Sequence, residues 1–414
     1  MNGAINTAYN DKTDDKPNDY MLKSTISDSI FTLEIYIDRA TLPTIQQMAM
    51  IAESMSKHPK LICWLRHPIT DEKLLSQLNA TSFASLESLY QSACSILRTK
   101  SKAQVIIFGN TYWSKDLSRL IRRVTQISGV MIKQLELIDD GASEYQKMYQ
   151  WEILSAAEQS HDLCAGLNNL KSYLKGGENR VIRALSQRSN KLPRCISSIF
   201  NWHRLFPTTY HMLRMDYLEK PEISLLKVHL AGRTKQIRWD YLSNASFSAE
   251  QTSLFYQMVG LSDPRNMAKS ATEDQRSKFM FIGVGSTIAS SALQIRVIAD
   301  SLSETGVIPQ LKADRLQFKG HPFADFNQEI IQAHKMEEMR STIPFETLIM
   351  TDNLPEKMGG MESSLYFSLP HNYQIEYIVF SGSKQDLIQN ALIQIMLYLN
   401  VISQERIFFA DQFN

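Results

Sequence analysis

Short apolar runs alternating with stretches of helical spacing constrain this chain more than any other feature of its sequence. Residues 31–37, Phe-Thr-Leu-Glu-Ile-Tyr-Ile, are rich in β-branched and aromatic side chains and predict a first strand. Helical spacing follows over 42–55, then a compact apolar run, Leu-Ile-Cys-Trp-Leu, at 61–65. A helix is predicted at 85–98, a strand at 103–108, a turn at Gly109 and Asn110, a helix at 115–127, and a strand at 131–138 that runs into Asp139-Asp140-Gly141. Strands separated by helices of this length build βαβ units, whose strands lie parallel in one sheet. The first part of the chain is therefore expected to be Rossmann-like.

From about residue 145 to 194 the pattern is mainly helical, broken at Lys175-Gly176-Gly177. The aromatic stretch 202–217, which contains Pro207, predicts a packed connection between domains. A second α/β series starts at 278–282 and opens into Gly283-Val284-Gly285. It continues through a strand at 315–318, a helix beginning at Phe345, a strand at 375–380 and a last helix over 384–399. At 414 residues the chain is too long for one hydrophobic core, and domains of roughly 150 to 200 residues each are expected. Two such domains in tandem place their ligand sites at the carboxyl ends of both sheets, facing each other across a cleft.

A net charge of +1 and the lack of any dense Lys/Arg run argue against nucleic-acid binding. Cys63, Cys94, Cys164 and Cys195 show no CxxC spacing and predict reduced, mostly buried thiols rather than a zinc site. No run is long and apolar enough to span a bilayer, and the N-terminus lacks the basic-then-apolar order of a signal peptide. The expected location is cytoplasmic, with peripheral attachment at the inner membrane as a variant of it. Residues 1–26 offer nothing to bury and are expected to form a disordered arm.

Several stretches carry chemistry. Asp140, just after a strand and before Gly141, suits a general base at a sheet edge, while Asp139 suits a turn-capping support. The pair could instead hold a divalent metal, although no third oxygen ligand is evident. In Phe318-Lys319-Gly320-His321-Pro322, Gly320 permits close backbone approach and Pro322 stiffens the exit, so His321 and Lys319 suit an anion site; a surface turn is the plainer reading. Ser363 and Ser364, near Gly359-Gly360, either cap a helix or donate to a phosphate. Glu346 either accepts from a base amine or sugar hydroxyl or is an exposed helix glutamate. Gly283-Val284-Gly285 is half of a dinucleotide fingerprint without its third glycine, which supports NAD poorly.

Read together, several blocks resemble the bacterial sialyltransferases of glycosyltransferase family 80. They are the stretch 138–145 (IDDGASEY), 206–213 (FPTTYHML), 318–322 (FKGHP), 345–348 (FETL) and 354–370 (LPEKMGGMESSLYFSLP). The likeness covers nearly all the chain after residue 30, and the last block is the most specific. It implies a two-domain GT-B fold and inverting, metal-independent transfer of a nonulosonic acid, foremost sialic acid, from its CMP-activated donor to a hydroxyl of a galactoside or other glycan acceptor. No cofactor is implied. By motif position Asp140 is the expected general base, and His321 the expected stabiliser of the leaving phosphate. Ser363 and Ser364 are expected to bind that phosphate and Glu346 the cytidine, with Lys319, Gly320, Pro322 and Gly283 in the same CMP-binding region. Trp239, Asn110 and Asp139 fall on the acceptor side.

The chain also departs from the family. Where members read Asn-Ile-Ala-His, it reads Asn110-Thr111-Tyr112-Trp113, which places Trp113 beside the acceptor and opens an alternative: a CMP-pseudaminic acid or CMP-Kdo dependent transferase of the same fold, building a bacterial surface glycan. The expected organisation is an arm (1–26), an acceptor-side Rossmann-like domain with a helical connection (27–195), a CMP-donor-binding Rossmann-like domain (196–385), and a C-terminal helix (386–414) packing back on the first domain.

Overall fold

The computed structural model describes residues 30–111, 114–175, 200–220, 224–242, 246–261, 277–309, 311, 315–322, 324–339 and 344–413, without the side chains of residues 114, 115 and 224. The expected N-terminal arm, Trp113, Cys195 and the ends of the domains expected to meet at 195 and 196 lie outside these residues.

A first sheet contains β1 (Phe31–Asp38), β2 (Lys60–Trp64), β3 (Ala80–Ser82), β4 (Ala103–Asn110), β5 (Val130–Ile138), β6 (Thr208–Met212) and β7 (Thr234–Gln236), in the order β3-β2-β1-β4-β5-β6-β7. A second contains β8 (Phe279–Ile282), β9 (Leu316–Lys319), β10 (Glu337–Glu338), β11 (Lys357–Met361), β12 (Ile375–Phe380) and β13 (Ile407–Phe409), in the order β10-β9-β8-β11-β12-β13. Every neighbouring pair runs parallel. These are two Rossmann-like lobes, and parallel strands bring all their carboxyl ends to one edge of each sheet.

The helices used below are α1 (Thr41–Ser54), α2 (Ala142–Glu152), α3 (Ser291–Ser301), α4 (Phe345–Met350) and α5 (Ala391–Tyr398). Each of several starts has a local cause. The Ser290 hydroxyl accepts from Leu293 N at 3.2 Å before α3, and the Asn390 side chain accepts from Ile393 N at 3.0 Å before α5. That second cap corrects the expectation of one helix over 384–399: a one-turn helix at Lys384–Leu387 ends, and Asn390 starts a new one.

The stretch 202–217 is corrected as well. Its centre is strand β6, in which Thr208, Tyr210 and Met212 point inward. Pro207 stands just ahead of the strand and contributes only its carbonyl, which accepts from Leu135 N at 2.8 Å, so the missing N–H costs no ladder bond. The first sheet therefore continues to Gln236, past the boundary expected at 195 and 196.

Strand β11 owes its form to glycine. A Cβ on Gly360, whose φ is 127°, would stand 2.6 Å from the Ile282 carbonyl oxygen, and one on Gly359 would stand 2.8 Å from that of Tyr377. The paired glycines let β8 and β12 close in from both sides.

The lobes share one apolar cluster. It runs from Leu135 and Tyr145 in the first lobe through Ile395 of α5 to Met280 and Ile378 in the second. Helix α5 lies on α2, with Tyr398 and Tyr149 ring centroids 5.6 Å apart. The buried Arg214 guanidinium ties the junction: it pairs with Asp216 at 2.8 Å, donates to the Leu399 carbonyl at 3.2 Å and lies over the Phe367 ring.

Candidate active site

On the first wall, β5 ends at Ile138 and delivers Asp139 and Asp140 to the sheet edge. Gly141 turns the chain at φ 101°, a value that disfavours any side chain, and starts α2. Asp139 is 3% exposed and is held from below: Gly141 N donates to it at 2.7 Å, Leu213 N at 3.1 Å, and the Tyr145 hydroxyl hydrogen-bonds to it. Tyr145 in turn accepts from Arg214 N at 2.7 Å, which connects the carboxylate to the lobe junction. Asp140 is less enclosed. Burial pushes its carboxyl up to about 6, opposed by a hydrogen bond with Asn110 and by the charges of Arg66 and Lys147. Buried Glu144 accepts from Thr111 Oγ1 at 3.0 Å, fixing the chain after β4, and burial with the nearby aspartates holds its carboxyl well above the usual range.

On the second wall, Lys319 closes β9, 6% exposed, and its carbonyl accepts from Gly283 N at 2.9 Å. Burial depresses the Lys319 ammonium, against the charges of Glu346 and Glu338. The following loop is tightly built. A Cβ on Gly320 would collide with the Asn327 side chain, whose amide donates to the His321 carbonyl at 2.9 Å. The His321 ring lies over Gly285, where a Cβ would come within 3.4 Å of Nδ1. Gln294 of α3 holds that glycine loop, accepting from Val284 N and donating to its carbonyl, both at 3.1 Å. Burial and the Arg66 charge lower the His321 imidazole, favouring its neutral form.

Glu346 is the second residue of α4, its carboxyl raised by burial and lowered in part by Lys319 and Arg66. Ser363 caps the short 3-10 turn Ser364–Ser368 by accepting from Leu365 N at 3.3 Å, and Ser364 beside it is exposed. Arg66, in the exposed loop after β2, acts electrostatically on Asp140, His321 and Glu346 together. The two walls therefore face a common space.

Comparison with known proteins decides what this space belongs to. A family model described as "Sialyltransferase PMO188" matches residues 33–407. The chain belongs to this sialyltransferase family. The α/β-galactoside α-2,3-sialyltransferase of the luminous marine bacterium Photobacterium phosphoreum is 35% identical, with a TM-score of 0.81 over 92% of this chain and 99% of that one. The 2,6-sialyltransferase of Photobacterium sp. JT-ISH-224, solved in a ternary complex with CMP and lactose, is 28% identical, with a TM-score of 0.77 over 92% of this chain and 78% of that one. The GT-B domain of the Photobacterium damselae sialyltransferase is 28% identical, with a TM-score of 0.77 over 91% of this chain and 99% of that one. No curated protein matches the chain. The fold of this sialyltransferase is GT-B, and its activity is that of a CMP-sialic acid glycosyltransferase.

Of the site residues expected from sequence, the structure gathers Asp139, Asp140 and Asn110 on one wall and Lys319, Gly320, His321, Glu346, Ser363 and Ser364 on the other. Gly283 lies in the second wall's scaffold, with Phe318 and Gln294 where a Cβ would stand, and Pro322 is exposed at the loop's exit. Trp239 follows β7 at the carboxyl edge of the first sheet. It packs on two apolar clusters, in a loop pinned by Arg238 to Glu53 at 2.7 Å and to Asp240 at 3.0 Å. The sequence reading missed Arg66, Tyr145, Gln294 and Asp38. Arg66 carried a usable signal, a cation directly after an apolar strand; Gln294 carried none, since its role arises from a loop ten residues earlier. Among the described residues no group of three or more His, Cys, Asp or Glu is arranged to hold a metal ion, and no helix is long and apolar enough to cross a membrane.

Proposed function

We propose that this sialyltransferase is an inverting, metal-independent enzyme in which Asp140 is the general base and the second wall receives CMP. The observation that carries the reading is the placement of Asp140 just past β5 at the carboxyl edge of the first sheet and of His321 just past β9 at the carboxyl edge of the second.

The Asp140 carboxylate takes the proton of an acceptor hydroxyl, whose oxygen bonds to the anomeric carbon of the sugar. The bond from that carbon to the CMP phosphate breaks on the opposite side, its electron pair passing to the phosphate. Base and leaving group on facing lobes suit this in-line geometry, which inverts the anomeric centre. A carboxyl at about 6 is ionised at neutral pH yet still basic enough to accept a proton. Asp139, with both oxygens engaged by the protein, supports Asp140 rather than meeting the sugar.

CMP presents a single phosphate. The His321 ring N–H, the Ser363 and Ser364 hydroxyls and Arg66 suffice to meet its growing charge, which supports a reaction without a metal. Glu346 and Lys319 suit the cytidine and ribose beside it. The Photobacterium phosphoreum relative is an α/β-galactoside sialyltransferase and the JT-ISH-224 relative was solved with lactose as acceptor; a galactoside is the acceptor proposed here, with Trp239 offering an apolar face to it. The donor pool is cytoplasmic in this reading, with any membrane association peripheral.

The test is transfer to lactose from CMP-sialic acid and from CMP-pseudaminic acid, each with and without EDTA, with the product anomer read by NMR. An inverted sialoside formed equally well with EDTA is expected. Retention of configuration, or loss of activity with EDTA, overturns the mechanism; transfer from CMP-pseudaminic acid alone overturns the donor.

A further inference from the structure

The first sheet places three polar side chains side by side at its carboxyl edge. Strand β4 lies between β1 and β5, so Asn110, its last residue, stands between Asp38, the last residue of β1, and the Asp139-Asp140 turn after β5. The Asn110 amide reaches both sides: Nδ2 lies 3.5 Å from Asp38 Oδ1, and the same side chain hydrogen-bonds with Asp140.

Asp38 is 3% exposed, and both of its carboxyl oxygens are engaged. Its Oδ1 accepts from the Arg39 and Ala40 N–H groups, both at 2.7 Å, and its Oδ2 lies 3.3 Å from Gln47 Nε2 of α1. Gln47 cannot turn over, because its Oε1 accepts from the Trp64 indole at 2.6 Å. A chain of contacts thus runs from Trp64 through Gln47 and Asp38 to Asn110. A carboxylate at the end of a central parallel strand is not needed for the ladder, and burying it beside Asp140 carries an electrostatic cost. Burial, with Asp140 adding to it, pushes the Asp38 carboxyl up to about 8.

We propose that Asp38 is a positioning residue for the base: it holds the Asn110 carboxamide with its N–H side toward Asp140, so that Asp140 keeps the orientation in which it receives the acceptor proton. Asp38 touches no substrate and acts only through Asn110. The proposal rests on the assignment of Asp140 as base.

The test is a double-mutant cycle on the full chain, with Asp38→Ala, Asn110→Ala and the pair, in transfer from CMP-sialic acid to lactose. Asp38→Ala is expected to lower kcat by up to about 10²-fold, the cost of displacing a catalytic group by about 1 Å, with the KM for donor and the Kd for CMP unchanged. The pair is expected to be no slower than Asn110→Ala alone. Asp38→Asn, which keeps an acceptor oxygen toward the Arg39 and Ala40 amides and Asn110, is expected to recover most of the lost kcat, and it keeps the question open to test if the alanine variant does not fold. Losses that multiply in the pair, or a folded Asp38→Asn as slow as Asp38→Ala, overturn the proposal. Full activity of Asp140→Asn would instead remove the base assignment, and it is measured alongside so that the two failures are told apart.

Discussion

The two walls of the cleft are built from the same kind of sheet edge but are prepared in opposite ways. The first lobe crowds Asp38, Asp139, Asp140 and Glu144 into poorly solvated ground, and each carboxyl is pushed upward by burial. The second lobe offers a lysine and a histidine that burial depresses, on a glycine-tight loop, and serine hydroxyls at the turn after β11. One wall is strained toward accepting protons, the other toward meeting an incoming anion. In the proposed reaction the first wall would accept a proton from a sugar hydroxyl and the second would meet the phosphate of a CMP-sugar.

The sharpest way to break this contrast is Asp140→Asn, which retains shape but cannot take a proton. Transfer is expected to fall by about 10²–10⁴-fold, while calorimetry shows CMP binding intact. A parallel loss of CMP binding would mean the walls are not separate in role. His321→Ala comes next, with kcat expected to fall by about 10²–10³-fold, the range for removing one donor to a developing charge, and a smaller change in CMP affinity. Equal effects on both would make His321 a binding residue only.

Arg66→Ala tests what joins the walls. Its charge favours ionised Asp140 and disfavours protonated His321, so its removal is expected to move the acid limb of kcat/KM upward by a fraction of a pH unit. An unchanged limb would separate Arg66 from the base.

The smallest expected effect is on stability. The Asp140 carboxyl sits at about 6 in the folded protein and near 4 in an unfolded chain. The folded state therefore binds the proton more tightly, and this group's contribution is most favourable below about pH 4 and is lost as pH rises through about 6. Asp140→Asn is expected to gain a few degrees of Tm over the wild type at pH 8 and little at pH 4.5. A uniform gain at both pH values would locate the effect in packing instead of charge.

The parallel-sheet architecture was legible because runs such as 31–37 and 131–138 are apolar and separated by helical spacing, and the placement of Asp140 and His321 just past strand ends was legible because each follows an apolar run in a compact motif. β6 and β11 were not, for physical reasons: one begins beside a proline that breaks no ladder bond, and the other holds two glycines needed for strand approach. Gln294 and Asp38 belong to the site through contacts between distant segments. Local periodicity carries no record of such contacts.

The path of the last residues bears on how the chain is made. After β12 the polypeptide leaves the second sheet, lays α5 against the first lobe, and returns to add β13 at the sheet's edge. These segments leave the ribosome after the strands and helices they cover, so the surface that receives Tyr398 stays bare and β12 remains an open edge until α5 and β13 have emerged. A chain in which α5 and β13 have not yet docked exposes both lobes at once, the state in which capture by chaperones or proteases competes with folding.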